Sequence, residues 1–176
     1  MSLDIATRLT QLIRDVPDYP SPGILFKDIT PVLADADAFV GVVDALVEQH
    51  ALGAIDKVVG IEARGFILAA PVAYHLNAGF VPMRKKGKLP YRTFESSYAL
   101  EYGTATIEVH QDAFAPGERV LIVDDVLATG GTAVAALDLV TQSGASVVGF
   151  SFLIELSALA GRARLPEADV RTLLVV

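Results

Sequence analysis

Two adjacent carboxylates, Asp124 and Asp125, close an apolar run that begins at Val120, and Ala128, Thr129, Gly130, Gly131 and Thr132 follow shortly after. Glycines let backbone N–H groups converge in a turn, and the Ala- and Val-rich stretch downstream predicts a helix whose N-terminus adds partial positive charge. Such a turn is built to hold a phosphate, with Thr129 and Thr132 supplying hydroxyls. Each dipole contact contributes only about 0.3–1 kcal/mol when exposed, so several donors must act together. The triphosphatase type of loop requires a Lys, and the dinucleotide type requires Gly-x-Gly-x-x-Gly; neither pattern is present. Carboxylates just ahead of the loop fit a sugar phosphate, because their oxygens accept from ribose hydroxyls and their charge favours an oxocarbenium-like sugar. Asp-Asp alone serves equally well as a helix cap in a solvated turn. The complete run from Val120 to Thr132 favours the phosphate.

A second strand-turn-helix pattern spans Gly60 to Phe66 and presents Arg64 at the turn, beside Glu62 and Ala63. The guanidinium fork and the helix dipole there act on an anion in the same direction, although an exposed Arg paired with Glu62 is the plainer reading of Arg64 alone. Between Arg84 and Arg92 stand Arg84, Lys85, Lys86, Lys88 and Arg92, a dense group in a chain with 14 Lys and Arg in all. A charge run is usually a solvated face, so its value depends on what surrounds it.

Elements that position these residues follow from hydrophobic periodicity. Lys57 to Ile61, Gly79 to Arg84, Glu118 to Asp124 and Ser146 to Glu155 read as strands, and Gly65 to Asn77 and Gly131 to Ser143 as helices between them. Strand alternating with helix predicts an α/β fold with a central, mostly parallel twisted sheet flanked by helices. Thr104 to His110 alternates as a further strand, with antiparallel pairing open. In such sheets ligands sit beyond the carboxyl ends of strands where chain order reverses, which directs attention to the loops after Ile61 and Asp124. Ahead of the sheet, Ser2 can cap a helix carrying Leu3, Ile5, Leu9, Leu12 and Ile13 on one face. The prolines Pro17, Pro20 and Pro22 make Val16 to Pro31 a structured loop with an apolar centre, Ile24-Leu25-Phe26, and another helix runs from Asp35 or Asp37 to about His50.

With 176 residues and 52% hydrophobic content, one domain with a sizeable core is expected. A net charge of -7 opposes general nucleic-acid binding, so any anion must be held locally. The absence of Cys suits a reducing compartment, and cytoplasm is the default. Pro71, His75, Asn77 and Gly79 interrupt the longest uncharged stretch, so no membrane span is expected.

Residues Val120 to Thr132 resemble the 5-phosphoribosyl-1-pyrophosphate (PRPP) signature of the type I phosphoribosyltransferases. The basic run, the stretch Ser97 to Gly103 and the segment Tyr19 to Leu33 resemble the adenine-specific members of that family. The likeness covers about Pro17 to Leu156, with the motifs in family order. It implies the type I fold, with an N-terminal hood over about residues 1–34, a core over about 35–176 and a flexible catalytic flap over about 85–103. The implied reaction is adenine plus PRPP giving AMP and pyrophosphate, with Mg²⁺ held mainly by PRPP oxygens and water and with Asp124 and Asp125 as candidate ligands. By the same resemblance Asp124 and Asp125 meet the ribose hydroxyls, and Ala128 to Thr132 hold the 5′-phosphate. Glu62, Ala63, Arg64, Arg84, Lys85 and Lys88 serve pyrophosphate, with a cis peptide between Glu62 and Ala63. Main-chain groups of Leu25 and Lys27 read the adenine edge, and Phe26 and Val126 sandwich the ring. Glu101 is the implied catalytic acid-base group, Tyr98 and Tyr102 close the flap, and Arg84 reaches a neighbouring subunit's pyrophosphate in a homodimer. Two alternatives stay open: the same chemistry on xanthine, hypoxanthine, guanine or orotate, and a PRPP-sensing regulator.

Overall fold

The computed structural model describes residues 4–99, 104–165 and 168–176. The chain begins with helix α1 (Ile5–Leu12), whose start is set by Asp4: its carboxylate accepts from the Ala6 and Thr7 N–H groups. The expected cap, Ser2, lies outside the described residues. Strands β1 (Arg14–Pro17) and β2 (Leu25–Asp28) then pair antiparallel, from Arg14 opposite Asp28 to Pro17 opposite Leu25. The structured loop expected over Val16 to Pro31 is therefore corrected to a two-stranded ribbon closed by a proline-rich turn. Its prolines fall at the ribbon's end and in the turn, where a missing N–H breaks no ladder. Helices α2 (Thr30–Ala34) and α3 (Ala36–Val47) follow, with Asp35 capping α3 through the Ala38 N–H at 2.8 Å and accepting from Arg8 at 2.6 Å.

The remaining elements are β3 (Lys57–Ile61), α4 (Arg64–Leu76), β4 (Gly79–Lys85), β5 (Thr93–Ala99), β6 (Thr104–His110), β7 (Arg119–Leu127), α5 (Gly131–Gln142), β8 (Ser146–Glu155) and β9 (Val170–Val175). Two 3-10 turns, Ser157–Leu159 and Gly161–Arg164, connect β8 to β9. The large sheet has the order β5-β6-β4-β3-β7-β8-β9. Strands β4, β3, β7, β8 and β9 run parallel, and β6 is antiparallel to both β4 and β5. This is the mostly parallel α/β sheet that the alternating pattern predicts. Thr93–Ala99, inside the expected flap, is a strand that the sequence pattern does not single out. Every residue from Thr93 to Ala99 has a partner on β6, and Ser97 Oγ lies 2.8 Å from Thr106 Oγ1 across the pair. The β-branched residues Thr104, Thr106, Ile107 and Val109 favour β6, the partner on which this strand forms.

Period-2 alternation sorts the strand side chains into two cores. Val59, Val120 and Ile122 face α5, while Val58, Leu121 and Val123 face α3 and α4. Burying each such side chain stabilises the fold by about 1.5–3 kcal/mol. Both faces of the central strands are thus sealed, leaving only their carboxyl ends free to build a site. Among the described residues, no helix is long and apolar enough to cross a membrane.

Candidate active site

Chain order reverses between β3 and β7, which are neighbours in space although β4 follows β3 in sequence. The crevice beyond their carboxyl ends is the expected ligand position in an open parallel sheet. A cleft of about 370 Å³ opens there, bounded by the β1–β2 ribbon, the loop after β3, the end of β7 and the turn after β8. A smaller recess of about 60 Å³ adjoins it, enclosed by Ala128, Thr129, Gly130, Gly131 and Thr132.

This recess sits at the N-terminus of α5. Gly130, at φ 79°, is the cap residue, and no side chain occupies the first N–H groups of the helix. Helix α4 likewise starts after Ala63 without a side-chain cap. Both unsatisfied termini point their partial positive charge towards the crevice, a ready arrangement for two anions. The peptide between Glu62 and Ala63 is cis, as the family resemblance implies. Gly65 packs directly on the acidic pair: a Cβ there would come within 2.6 Å of Asp124 Oδ1, so only glycine lets α4 approach this closely.

The two carboxylates differ in their surroundings. Asp124 is half-buried, and its Oδ1 accepts from the Asp125 N–H at 2.9 Å. Asp125 is only 5% exposed. Burial, reinforced by the Asp125 charge, pushes the Asp124 carboxyl well above the usual carboxylate range. Burial also raises Asp125, against the opposing pull of Arg64. Arg64 Nε stands 2.7 Å from Asp125 Oδ2, but the approach lacks hydrogen-bond alignment, so that buried oxygen has no hydrogen-bond partner among the described residues. The same guanidinium lies 4.8 Å above the Phe26 ring, which Tyr19 meets edge-on at 5.1 Å. Arg64 therefore links hood, acidic pair and α4 terminus.

Glu62 organises the basic run. Its carboxylate accepts from Lys88 Nζ at 2.8 Å, the Lys85 N–H at 2.9 Å and Arg84 Nε at 3.3 Å. Burial alone would raise its pKa, yet the Lys88 and Lys85 hydrogen bonds and the charges of Lys88 and Arg84 outweigh it, lowering the carboxyl to about 2. Glu108, buried on β6, accepts from the N–H groups of Lys88 and Leu89 at 2.9 and 2.8 Å. The turn after β4 is thus fixed by two internal carboxylates. Lys86 turns outward to Glu95 at 2.7 Å.

Of the residues singled out in the sequence, Leu25, Phe26, Lys27, Glu62, Ala63, Arg64, Lys85, Tyr98, Asp124, Asp125, Val126, Ala128 and Thr132 border the main cleft. Thr129, Gly130 and Gly131 border the adjoining recess. Arg84 and Lys88 border neither, being drawn to Glu62. Glu101 and Tyr102 lie outside the described residues. The cleft also includes Ile24, Ile107, Leu156 and Leu159, which sequence reading did not select for the site. Leu156 and Leu159 follow the carboxyl end of β8, away from the point where chain order reverses, so the rule that selected the loops after β3 and β7 passes over them.

Residues 33–173 match the family described as phosphoribosyl transferase domain. The adenine phosphoribosyltransferase of Acidothermus cellulolyticus is 73% identical over 173 residues, covering 98% of each chain. The chain belongs to the adenine phosphoribosyltransferase family. Among solved members, the Rhodothermus marinus adenine phosphoribosyltransferase superposes with a TM-score of 0.93 at 58% identity, covering 98% of each chain. The Saccharomyces cerevisiae adenine phosphoribosyltransferase, solved with an imino-altritol bisphosphate and adenine, gives a TM-score of 0.90 at 41% identity, covering 96% of this chain and 98% of that one.

Proposed function

We infer that this chain transfers the 5-phosphoribosyl group of PRPP to adenine, giving AMP and pyrophosphate in purine salvage. The carrying observation is the pair of uncapped helix termini flanking Asp124 and Asp125 at the β3–β7 crevice, a geometry that fits one ligand with phosphate at both ends of a ribose. The yeast relative's complex with adenine supports the choice of base. Incubation with adenine, PRPP and Mg²⁺ should yield AMP; a base panel in which adenine is the inert member would overturn the reading.

In this reading the recess at Ala128 to Thr132 takes the 5′-phosphate, and Glu62, Ala63, Arg64 and Lys85 face the pyrophosphate. Phe26 and Val126 sandwich the purine, and main-chain groups of Leu25 and Lys27 read its edge. A 6-oxo purine would invert both edge hydrogen bonds and leave buried groups unpaired, at about 1–3 kcal/mol each. Adenine attacks the anomeric carbon as pyrophosphate departs, while the acidic pair faces the positive charge that grows on the sugar.

The residues also fit Mg²⁺ arriving with its substrate. Asp125 Oδ2, ion-paired with Arg64 but without a hydrogen bond, would accept from a metal-bound water or a ribose hydroxyl, and no cluster of three acidic or His ligands exists among the described residues to form an all-protein cage. Bound there, the ion would neutralise charge on the departing pyrophosphate.

Glu101 is the proposed proton acceptor at the imidazole edge of adenine. Glu101→Gln should lower kcat by about a hundredfold while changing the adenine KM by less than about threefold; unchanged turnover removes Glu101 from the mechanism. A homodimer belongs to the same proposal, with Arg84 released from Glu62 to reach the neighbour's pyrophosphate. Light scattering that finds only monomer under active conditions removes that part. A cytoplasmic location is proposed because PRPP and its product AMP are charged phosphate esters that do not cross membranes, and fractionation placing the activity elsewhere would correct it.

A further inference from the structure

The phosphate loop lies on another piece of backbone. Behind Ala128 to Gly130 runs the 3-10 turn Gly161–Arg164, and the two segments meet glycine to glycine. A Cβ added at Gly130 would stand 2.6 Å from the Gly161 carbonyl oxygen and 3.2 Å from its Cα. A Cβ added at Gly161 would strike the Ala128 carbonyl oxygen and come within 2.8 Å of the Gly130 nitrogen. These neighbours are main-chain atoms of the loop, with no flexible side chain between that could yield.

The turn is itself tied down. Arg162 donates to Glu155 through Nε at 3.0 Å and Nη2 at 2.5 Å, and its Nη1 donates to the Val170 carbonyl at 2.6 Å. Glu155 ends β8, the strand beside β7, and is 8% exposed. The pair therefore fixes the turn to the same sheet that carries Asp124. Leu159, just ahead of it, reaches the main cleft.

We propose that Gly161 is a positioning residue for the 5′-phosphate, its Cα forming the floor that sets the height of the Ala128 to Gly130 turn, with Glu155 and Arg162 holding that floor against β8. Any side chain at 161 lifts the loop and misaims its N–H groups, leaving the base pocket and reacting carbon in place. The inference rests on the reading of that loop as the PRPP 5′-phosphate site.

The test uses the full chain carrying Gly161→Ala. Lifting the loop weakens several of its phosphate donors at once, so the KM for PRPP should rise about tenfold or more. The adenine KM and kcat should stay within about threefold. A folded variant with an unchanged PRPP KM, or with both KM values raised equally, would overturn the proposal. Should Gly161→Ala fail to fold, Glu155→Gln loosens the floor without adding an atom to the contact, and a PRPP KM raised less than about twofold would then count against it. Ribose 5-phosphate binding by calorimetry separates this inference from the functional reading. If the wild-type chain forms no AMP, the function falls alone; if Gly161→Ala binds ribose 5-phosphate as tightly as wild type, the positioning role falls.

Discussion

Replacing Asp124 and Asp125 together by Asn is expected to cut kcat/KM for PRPP by about a thousandfold, while Asp124→Asn alone raises the melting temperature at neutral pH. The activity loss follows from removing fixed negative charge that faces a developing cation, where a single such group is commonly worth about a hundredfold to a thousandfold. The stability gain has the opposite sign for the same reason. Asp124 is held above its ordinary pKa by burial and by the neighbouring Asp125 charge, so ionising it costs the folded state more than the unfolded chain. That cost is absent below the unfolded-state pKa, grows as pH rises towards the raised folded value and is complete above it. The amide introduced by Asp124→Asn would keep an acceptor for the Asp125 N–H and carry no charge. Thermal melts across pH should converge for variant and wild type in acid and diverge towards neutrality. A variant less stable than wild type at neutral pH would show that the pair is not strained, and near-native PRPP use by the double variant would remove the ribose role.

Arg64→Ala should be the most damaging change outside the acidic pair. The guanidinium stands 2.7 Å from Asp125 and 4.8 Å above Phe26, at the open end of α4. Its removal deletes an anion donor, leaves Asp125 facing only Asp124 and uncovers one face of the hood aromatic. We expect kcat/KM for PRPP to fall about a hundredfold, equivalent to about 2.7 kcal/mol of transition-state stabilisation. The acid limb of the pH–rate profile should move upward, because Arg64 is the charge that opposes the upward shift at Asp125. Arg64→Lys restores the charge but not the planar fork, so it should recover only part of the loss. An unchanged PRPP KM and an unmoved acid limb in Arg64→Ala would show that this cation serves the fold alone.

What the sequence revealed and what it hid follow from the range of the forces involved. Lys57 to Ile61 and Ser146 to Glu155 were legible to the residue because apolar runs between turn signals need no distant partner to be recognised. The hood ribbon was missed because Pro17, Pro20 and Pro22 dominate any local reading, whereas the pairing of Val16 with Phe26 is visible only once both ends meet. Thr93–Ala99 was masked in the same way, since its partner strand decides its state. At the site, Asp124, Asp125 and the glycine turn carry their chemistry in consecutive residues. The engagement of Arg84 and Lys88 by Glu62 spans more than twenty positions, and their cluster of charge could not reveal which carboxylate would hold them. Leu159 gave no chemical signal at all; only topology brings it to the cleft.

The glycine turn and the Arg64 turn rise from adjacent strands locked in register, Gly60 beside Val123. The span between the two proposed anion cradles is therefore set by one strand spacing of about 4.8 Å together with what each loop adds. Exchanging side chains in either loop retunes the grip on each end of the donor but leaves the ruler unchanged. On the proposed reading, fitting a donor with a longer or shorter reach would require loops of another length or another strand order, neither of which a side-chain exchange supplies.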